Sequence, residues 1–341
     1  MNFLYAGFDD ICPHYQSTKM NNIPSDIRPS FPVEVPREQV RAKFQELLGI
    51  DRIPERVEFE RGESHEDEGL IFTRVMFPNN LGESVEATVV RAADPPAARQ
   101  AGVVCMPGTG SSMEEVLDPR LYRPKPERGP LLGFGRELAR RRVAVLSFSP
   151  KGTVGRRKTI EAWETEAKLL APYGRPQIGV LADEAMRASL VLGAMDGVDE
   201  ARIGLTGMSL GGLASWMAMA LGPWVKTVAA VCGVLGTLEQ VIHHGQVDRH
   251  SSFLFIPHLL RYFDHPEIVA ACIAPRPFMM VAPTEDDDMP RSGVDELIRV
   301  VQPVYDAAGR PDDFRVHRPP GIHTFRLEYF DWVAAWFDEY L

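Results

Sequence analysis

Gly207-Met208-Ser209-Leu210-Gly211-Gly212 sets a serine between a short apolar run, Ala201 to Thr206, and a helical run of small residues, Leu213 to Leu221. Glycine two positions away on either side describes a strand-to-helix turn too tight for neighbouring side chains, and such a turn pushes the hydroxyl out of the sheet edge. A serine hydroxyl attacks nothing until a base takes its proton, so this reading requires a histidine and a group that orients it. Both lie downstream. Strand-like Pro277 to Ala282 leads into Pro283-Thr284-Glu285-Asp286-Asp287-Asp288-Met289-Pro290, and strand-like Phe314 to His317 leads into Arg318-Pro319-Pro320-Gly321-Ile322-His323. In that arrangement the imidazole accepts the serine proton and later donates it to the leaving group, while a carboxylate holds the imidazole tautomer. Ser209, Asp286 and His323 form the candidate triad, with Asp287 and Asp288 left open as alternatives for the acid.

Each residue alone has an ordinary explanation. A GxSxG match occurs by chance in loops and helix starts, a histidine before a helix can be a boundary residue, and a run of acids is usually a solvated loop. The argument rests on their conjunction, in the order serine, acid, histidine, at the ends of three expected strands.

At these residues the chain resembles the α/β-hydrolase superfamily, and within it the dienelactone-hydrolase-like and acetyl-xylan-esterase-like serine esterases. The carriers are the GxSxGG turn, the loop Met106-Pro107-Gly108-Thr109-Gly110, and Ile273-Ala274-Pro275-Arg276-Pro277 ahead of the acid-bearing strand. The resemblance runs from about Val57 to the C-terminus. It implies an α/β-hydrolase fold, a mostly parallel central sheet with helices on both faces and an inserted lid segment. Two departures stand out: Pro107-Gly108 replaces the more frequent His-Gly, and the run Glu285 to Asp288 replaces a single aspartate after a glycine. Asp286 matches the family's acid best, a few residues before a proline. The fold would also place an oxyanion hole at the N–H of Leu210, next after the nucleophile, and the N–H of Thr109. Losing one such donor typically raises the barrier by about 2.7–4 kcal/mol, so backbone placement matters more than side-chain identity there.

The elements that must position these groups follow from periodicity. Glu38 to Leu48 reads as a short amphipathic helix, and Arg56 to Glu60, Leu70 to Phe77 and Val85 to Arg91 as antiparallel strands at the sheet edge, around the turn Asn79-Asn80-Leu81-Gly82. Ala101 to Met106 is continuously apolar, as a parallel strand buried on both faces requires. Helix Leu131 to Arg141, strand Val143 to Phe148, helix Asp183 to Met195, strand Arg202 to Thr206 and strand Val225 to Val231 continue the alternation. The loop Ser149 to Gly155 is expected to face the pocket, where ligands gather at the carboxyl ends of strands. Helix Thr324 to Tyr340 carries an aromatic stripe that packs in the core and anchors the His323 loop. The segment 233–269 breaks periodicity and reads as a lid or pocket wall. Its histidines, His243, His244, His250, His258 and His265, lack metal-ligand spacing, so no metal is expected. Trp163 and Tyr173 are pocket candidates, with core packing as the alternative.

The 341 residues are 45% apolar and 25% charged, enough for one large α/β core. No linker or repeat divides them, so residues 1–55 are expected to be an N-terminal arm with a short helix and 56–341 the catalytic domain. Prolines at 13, 24, 29, 32 and 36 suggest an arm laid on the core or on a second copy, which makes a homodimer an expectation. The formal charge of −10 offers no basic face for nucleic acid or an anionic membrane. No signal-peptide pattern and no apolar run of bilayer length occur, so a cytoplasmic location is expected. The cysteines, Cys12, Cys105, Cys232 and Cys272, are scattered and read as free thiols.

The expected function is hydrolysis of a carboxylic ester of small or medium size through an acyl-enzyme, which needs no cofactor. The competing readings are a carbon–carbon bond hydrolase using the same triad and a prolyl-oligopeptidase-like peptidase, although too few residues precede Ala101 for the propeller of that kind. From outside enzymes comes a ligand-binding homologue that kept the fold.

Overall fold

A computed structural model describes residues 36–96, 98–121, 133–156, 160–243 and 250–341, with the side chains at 121 and 160–163 outside that set. The expected N-terminal arm, His244 and the Trp163 side chain therefore lie outside the described residues.

The strands are β1 (Glu60–Asp67), β2 (Leu70–Pro78), β3 (Ser84–Ala92), β4 (Gln100–Met106), β5 (Ala144–Phe148), β6 (Val198–Met208), β7 (Thr227–Val231), β8 (Phe278–Val281) and β9 (Phe314–His317). They form one nine-stranded sheet in the order β1-β2-β3-β5-β4-β6-β7-β8-β9. The pairs from β1 to β5 are antiparallel, and those from β5 through β4 to β9 are parallel. Strands β4, β5, β7 and β8 are buried at every position, the pattern of parallel strands covered on both faces.

Helices α1 (Arg37–Leu47), α2 (Met113–Leu117), α3 (Phe134–Arg140), α4 (Ile160–Leu170), α5 (Gln177–Gly193), α6 (Leu210–Leu221), α7 (Leu238–His243), α8 (His265–Ile268), α9 (Arg291–Ala307) and α10 (Leu327–Tyr340) complete the alternation. Two glycines show how the sheet is covered. The space where Gly102 would carry a side chain is filled by Ile203 of β6 and Leu192 of α5, and the space at Gly204, which points to the other face, is filled by Phe337 of α10. Strand glycines thus let helices approach closely from both sides. Phe44 of α1 stacks on Trp216 of α6 with centroids 6.2 Å apart, which closes one helical layer.

Several boundaries differ from the sequence expectation, the strand expected at Arg202 to Thr206 running over Val198–Met208 among them, and three have a clear physical reason. The first strand occupies Glu60–Asp67 rather than Arg56 to Glu60, and almost all of its residues are exposed. An edge strand needs only its partner's hydrogen bonds, and charge along it discourages pairing with another chain, so it carries no apolar alternation. Helix α5 begins at Gln177 rather than Asp183 because Ile178, Val180, Leu181 and Ala182 are buried all round, which erases the amphipathic period. The C-terminal helix begins at Leu327, three residues later than expected, although Phe325, Tyr329, Val333, Trp336 and Phe337 are buried as the aromatic stripe predicts.

The described part of the segment 233–269 sends Phe253, Ile256, Leu259, Phe263 and Ile268 into the core and packs on α1, α5 and α9. A single carboxylate organises it. Asp264 accepts from its neighbour His265 N–H in the capping box of α8, and also from the first two N–H groups of α7, Leu238 at 2.8 Å and Glu239 at 3.0 Å. His265 is buried edge-on against Trp216, and burial holds its pKa below the usual histidine value. Tyr173, by contrast, is 83% exposed in the turn after α4. No helix among the described residues is long and apolar enough to cross a membrane.

Candidate active site

Ser209 caps α6 with φ 53° and ψ −117°, a backbone conformation natural to glycine and strained for serine. Its surroundings explain how that strain is held. The Ser209 N–H donates to Val231 O at 2.8 Å, and its carbonyl accepts from Leu213 at 2.8 Å. A Cβ at Gly207 would come within 2.6 Å of Met106 O, and one at Gly211 would overlap the same carbonyl, so both flanking glycines are sterically required. The turn is thereby locked against the end of β4, with Ser209 only half-buried.

The loop leaving β4 runs along this turn. A Cβ at Gly108 would be 3.4 Å from Ser209 Cβ, ordinary contact distance, and Thr109 follows in a tight turn, half-buried. Leu210 is the first residue of α6, where backbone N–H groups have no intrahelical acceptor and the helix dipole favours negative charge. Both sequence-selected oxyanion donors therefore stand on segments packed against the serine.

The acid and the histidine come together because the β8–β9 pairing continues past the strands. Ala282 N–H donates to His317 O at 2.8 Å, Thr284 to Pro319 O at 2.9 Å and Glu285 to Gly321 O at 2.8 Å. This backbone ladder delivers Asp286 and His323 side by side, with His323 Nδ1 and Asp286 Oδ2 2.8 Å apart. The other Asp286 oxygen accepts from Asp288 N–H at 2.9 Å. Asp286 is fully enclosed as a side chain, whereas Asp288 sits 3.5 Å from the same histidine nitrogen and Asp287 is exposed. Of the three aspartates left open by the sequence, Asp286 has the short, oriented contact.

Cys232 links this pair to the serine turn. It follows Val231, the acceptor of the Ser209 N–H, adopts φ 50°, and donates its own N–H to Val281 O at 2.9 Å. Its Sγ approaches Thr324 O at 3.3 Å, and its sulfur, an Asp286 carboxylate oxygen and a His323 ring nitrogen all lie within 4.8 Å of one another. Burial and the adjacent Asp286 charge hold the thiol well above the usual cysteine range, so it remains a neutral S–H rather than a competing nucleophile. The sequence reading placed Cys232 among free thiols but not at the site. Its position directly after β7, between the serine and acid strands, was the available signal.

The Ile273 to Pro277 motif also acquires a role. Arg276 donates to Met219 O at 2.6 Å, Gly222 O at 2.9 Å, Val225 O at 3.1 Å and Cys272 O at 2.7 Å. Burial lowers its guanidinium to about 10. It satisfies carbonyls at the C-terminal end of α6 and fastens the serine-bearing helix to the start of β8.

Known proteins resemble this chain in sequence and in fold. The model of an Abhydrolase family matches residues 240–328. The Bacillus subtilis (strain 168) protein named "Putative hydrolase YtaP" is 30% identical over 212 residues, covering 60% of this chain and 68% of that protein. Among solved structures, a "putative acetyl xylan esterase" from Bacteroides fragilis NCTC 9343 superimposes with TM-score 0.71 at 16% identity, covering 93% of this chain and 92% of that one. A glucuronoyl esterase from Solibacter usitatus does so with TM-score 0.65 at 14% identity, covering 89% and 91%. The relationship to YtaP, together with the family-model match, leads to one assignment: the chain belongs to the α/β-hydrolase family.

Proposed function

We propose that this protein is a serine hydrolase that cleaves carboxylic esters of small or medium substrates through an acyl-enzyme. The observation that carries the reading is the 2.8 Å contact between enclosed Asp286 and His323 Nδ1, at the sheet end that also bears the strained Ser209. With Nδ1 committed to the carboxylate, proton exchange falls to Nε2.

Ser209 Oγ adds to the ester carbonyl as its proton passes to His323. The carbonyl oxygen becomes an oxyanion facing the N–H groups of Leu210 and Thr109. Collapse breaks the carbon–oxygen bond to the alcohol, which leaves with the proton from His323, and the acyl group stays on Ser209. Water, deprotonated by His323, adds to that acyl group, and a second collapse releases the acid and restores the Ser209 hydroxyl. Asp286 holds the imidazole and stabilises its cationic form in both halves. Ester names among the solved neighbours, acetyl xylan and glucuronoyl esterases, support carboxylic ester chemistry. The buried free thiols of Cys105, Cys232 and Cys272 support residence in a reducing compartment such as the cytoplasm.

The test is turnover of short-chain p-nitrophenyl esters beside matched anilides and 1,3-diketones. Esters are expected to react and the other two panels to stay near background; preferential diketone or anilide cleavage would overturn the ester reading. Across the acidic range kcat/KM should fall as pH drops, because the base must be neutral to accept the serine proton. A flat acidic limb would remove His323 from the mechanism.

A further inference from the structure

Glu184 is fully buried on α5, away from the triad, and the mechanism above does not use it. Its Oε2 accepts the backbone N–H of Lys151 at 2.8 Å, and its Oε1 accepts Asn79 Nδ2 at 3.0 Å and Arg156 Nη2 at 3.2 Å. These donors lie in the turn between β2 and β3 and in the loop 149–156 after β5. Burial pushes the Glu184 carboxyl upward, and the Arg156 charge and the two hydrogen-bond donors oppose that push. Lys151 is held at its other end as well, with Nζ 2.7 Å from Glu83 and 2.6 Å from Glu166 of α4.

The loop that Glu184 fastens reaches the oxyanion segment directly. Val154 N–H donates to Thr109 O at 3.1 Å, and Ser149 Oγ accepts Met113 N–H at 2.9 Å on the far side of the same segment. Leu210, the other donor, is fixed by α6 and is independent of this loop. A buried carboxylate is expensive unless its hydrogen bonds are met, and simple packing would be served as well by an apolar residue. Here the polar groups fasten a loop at the catalytic edge of the sheet.

We propose that Glu184 is a positioning residue: through the loop 149–156 and the Val154–Thr109 hydrogen bond, it aims the Thr109 N–H at the developing oxyanion. The inference rests on the serine-esterase reading above. Its consequence is selective, because a misaimed donor weakens binding of the transition state and leaves ground-state ester binding almost unchanged.

The experiment compares the wild type, Glu184→Gln and Val154→Pro, the last removing the donor to Thr109 while leaving Glu184 in place at a half-exposed position. Removing an oxyanion donor outright costs about 10²–10³ in kcat, so misaiming one is expected to cost roughly 10- to 100-fold. KM should stay within about twofold, and affinity for an alkyl trifluoromethyl ketone, which mimics the tetrahedral species, should fall by a factor similar to kcat. The acid limb of the pH profile should not move, since Asp286 and His323 are untouched. The double variant should be no worse than the poorer single, as expected for two changes along one connection. If Glu184→Gln does not fold, Glu184→Asp, which keeps the charge but shortens its reach to Lys151, Asn79 and Arg156, takes its place in the comparison. Wild-type kcat and inhibitor affinity in the folded variants, or a loss confined to KM, overturn the role of Glu184. A wild type that neither turns over esters nor reacts with a fluorophosphonate at Ser209 overturns the functional reading instead.

Discussion

Ser209→Ala is expected to lower kcat on a short-chain ester by roughly a million-fold, the loss seen when such a nucleophile is removed, and to abolish fluorophosphonate labelling. The fold should survive the change, because the hydrogen bonds that hold residue 209 are made by its backbone, to Val231 O and from Leu213 N–H. Intact melting with lost activity therefore separates chemistry from stability. Ser209→Gly sharpens the comparison. At φ 53° and ψ −117° glycine is at ease where serine and alanine are not, so the glycine variant should melt above the alanine variant by about 1 kcal/mol or more of relieved strain. Equal melting of the two would show that the turn is unstrained, and residual hydrolysis within tenfold of wild type would remove Ser209 as the nucleophile.

For the acid, Asp286→Asn should cost about 10⁴-fold in kcat, while Asp287→Asn and Asp288→Asn should each cost less than about tenfold. The geometry dictates this difference. Asp288 N–H already donates to one oxygen of residue 286, so an asparagine there would keep its carbonyl in that place and turn its NH2 toward His323 Nδ1. The imidazole would then accept at Nδ1 and carry its proton on Nε2, the wrong tautomer for taking a proton from Ser209. Asp288, at 3.5 Å and partly exposed, cannot impose that orientation. Steady-state kinetics on the three variants decides the matter, and a larger loss at Asp288 would reassign the acid.

The serine, the histidine and most of the parallel strands were legible because each leaves a local mark: glycines forced by contact with Met106, continuous apolar runs at β4 and β7, and a strand ending just before the histidine loop. The choice among Asp286, Asp287 and Asp288 was less so, since it depends on backbone pairing between Thr284 and Pro319 and between Glu285 and Gly321, contacts that span distant parts of the chain. Strand β1 was misplaced because edge pairing needs no apolar residues, and the first turns of α5 were missed because complete burial leaves no periodicity. Glu184 gave no warning either: a charged residue between Asp183 and Arg187 in an otherwise apolar helix looks like part of a solvated face until Lys151, Asn79 and Arg156 are brought to it. Cys232 was noticed for its redox meaning rather than for its place beside the serine turn.

Among the described residues the four-residue outer strand β9 pairs with β8 alone, yet the loop holding His323 hangs from it. Outer strands open at lower cost than the centre of a sheet. Warming should therefore silence turnover several degrees before the fluorescence of enclosed Trp216 and Trp336 reports global melting, and cooling from that interval should restore full rates.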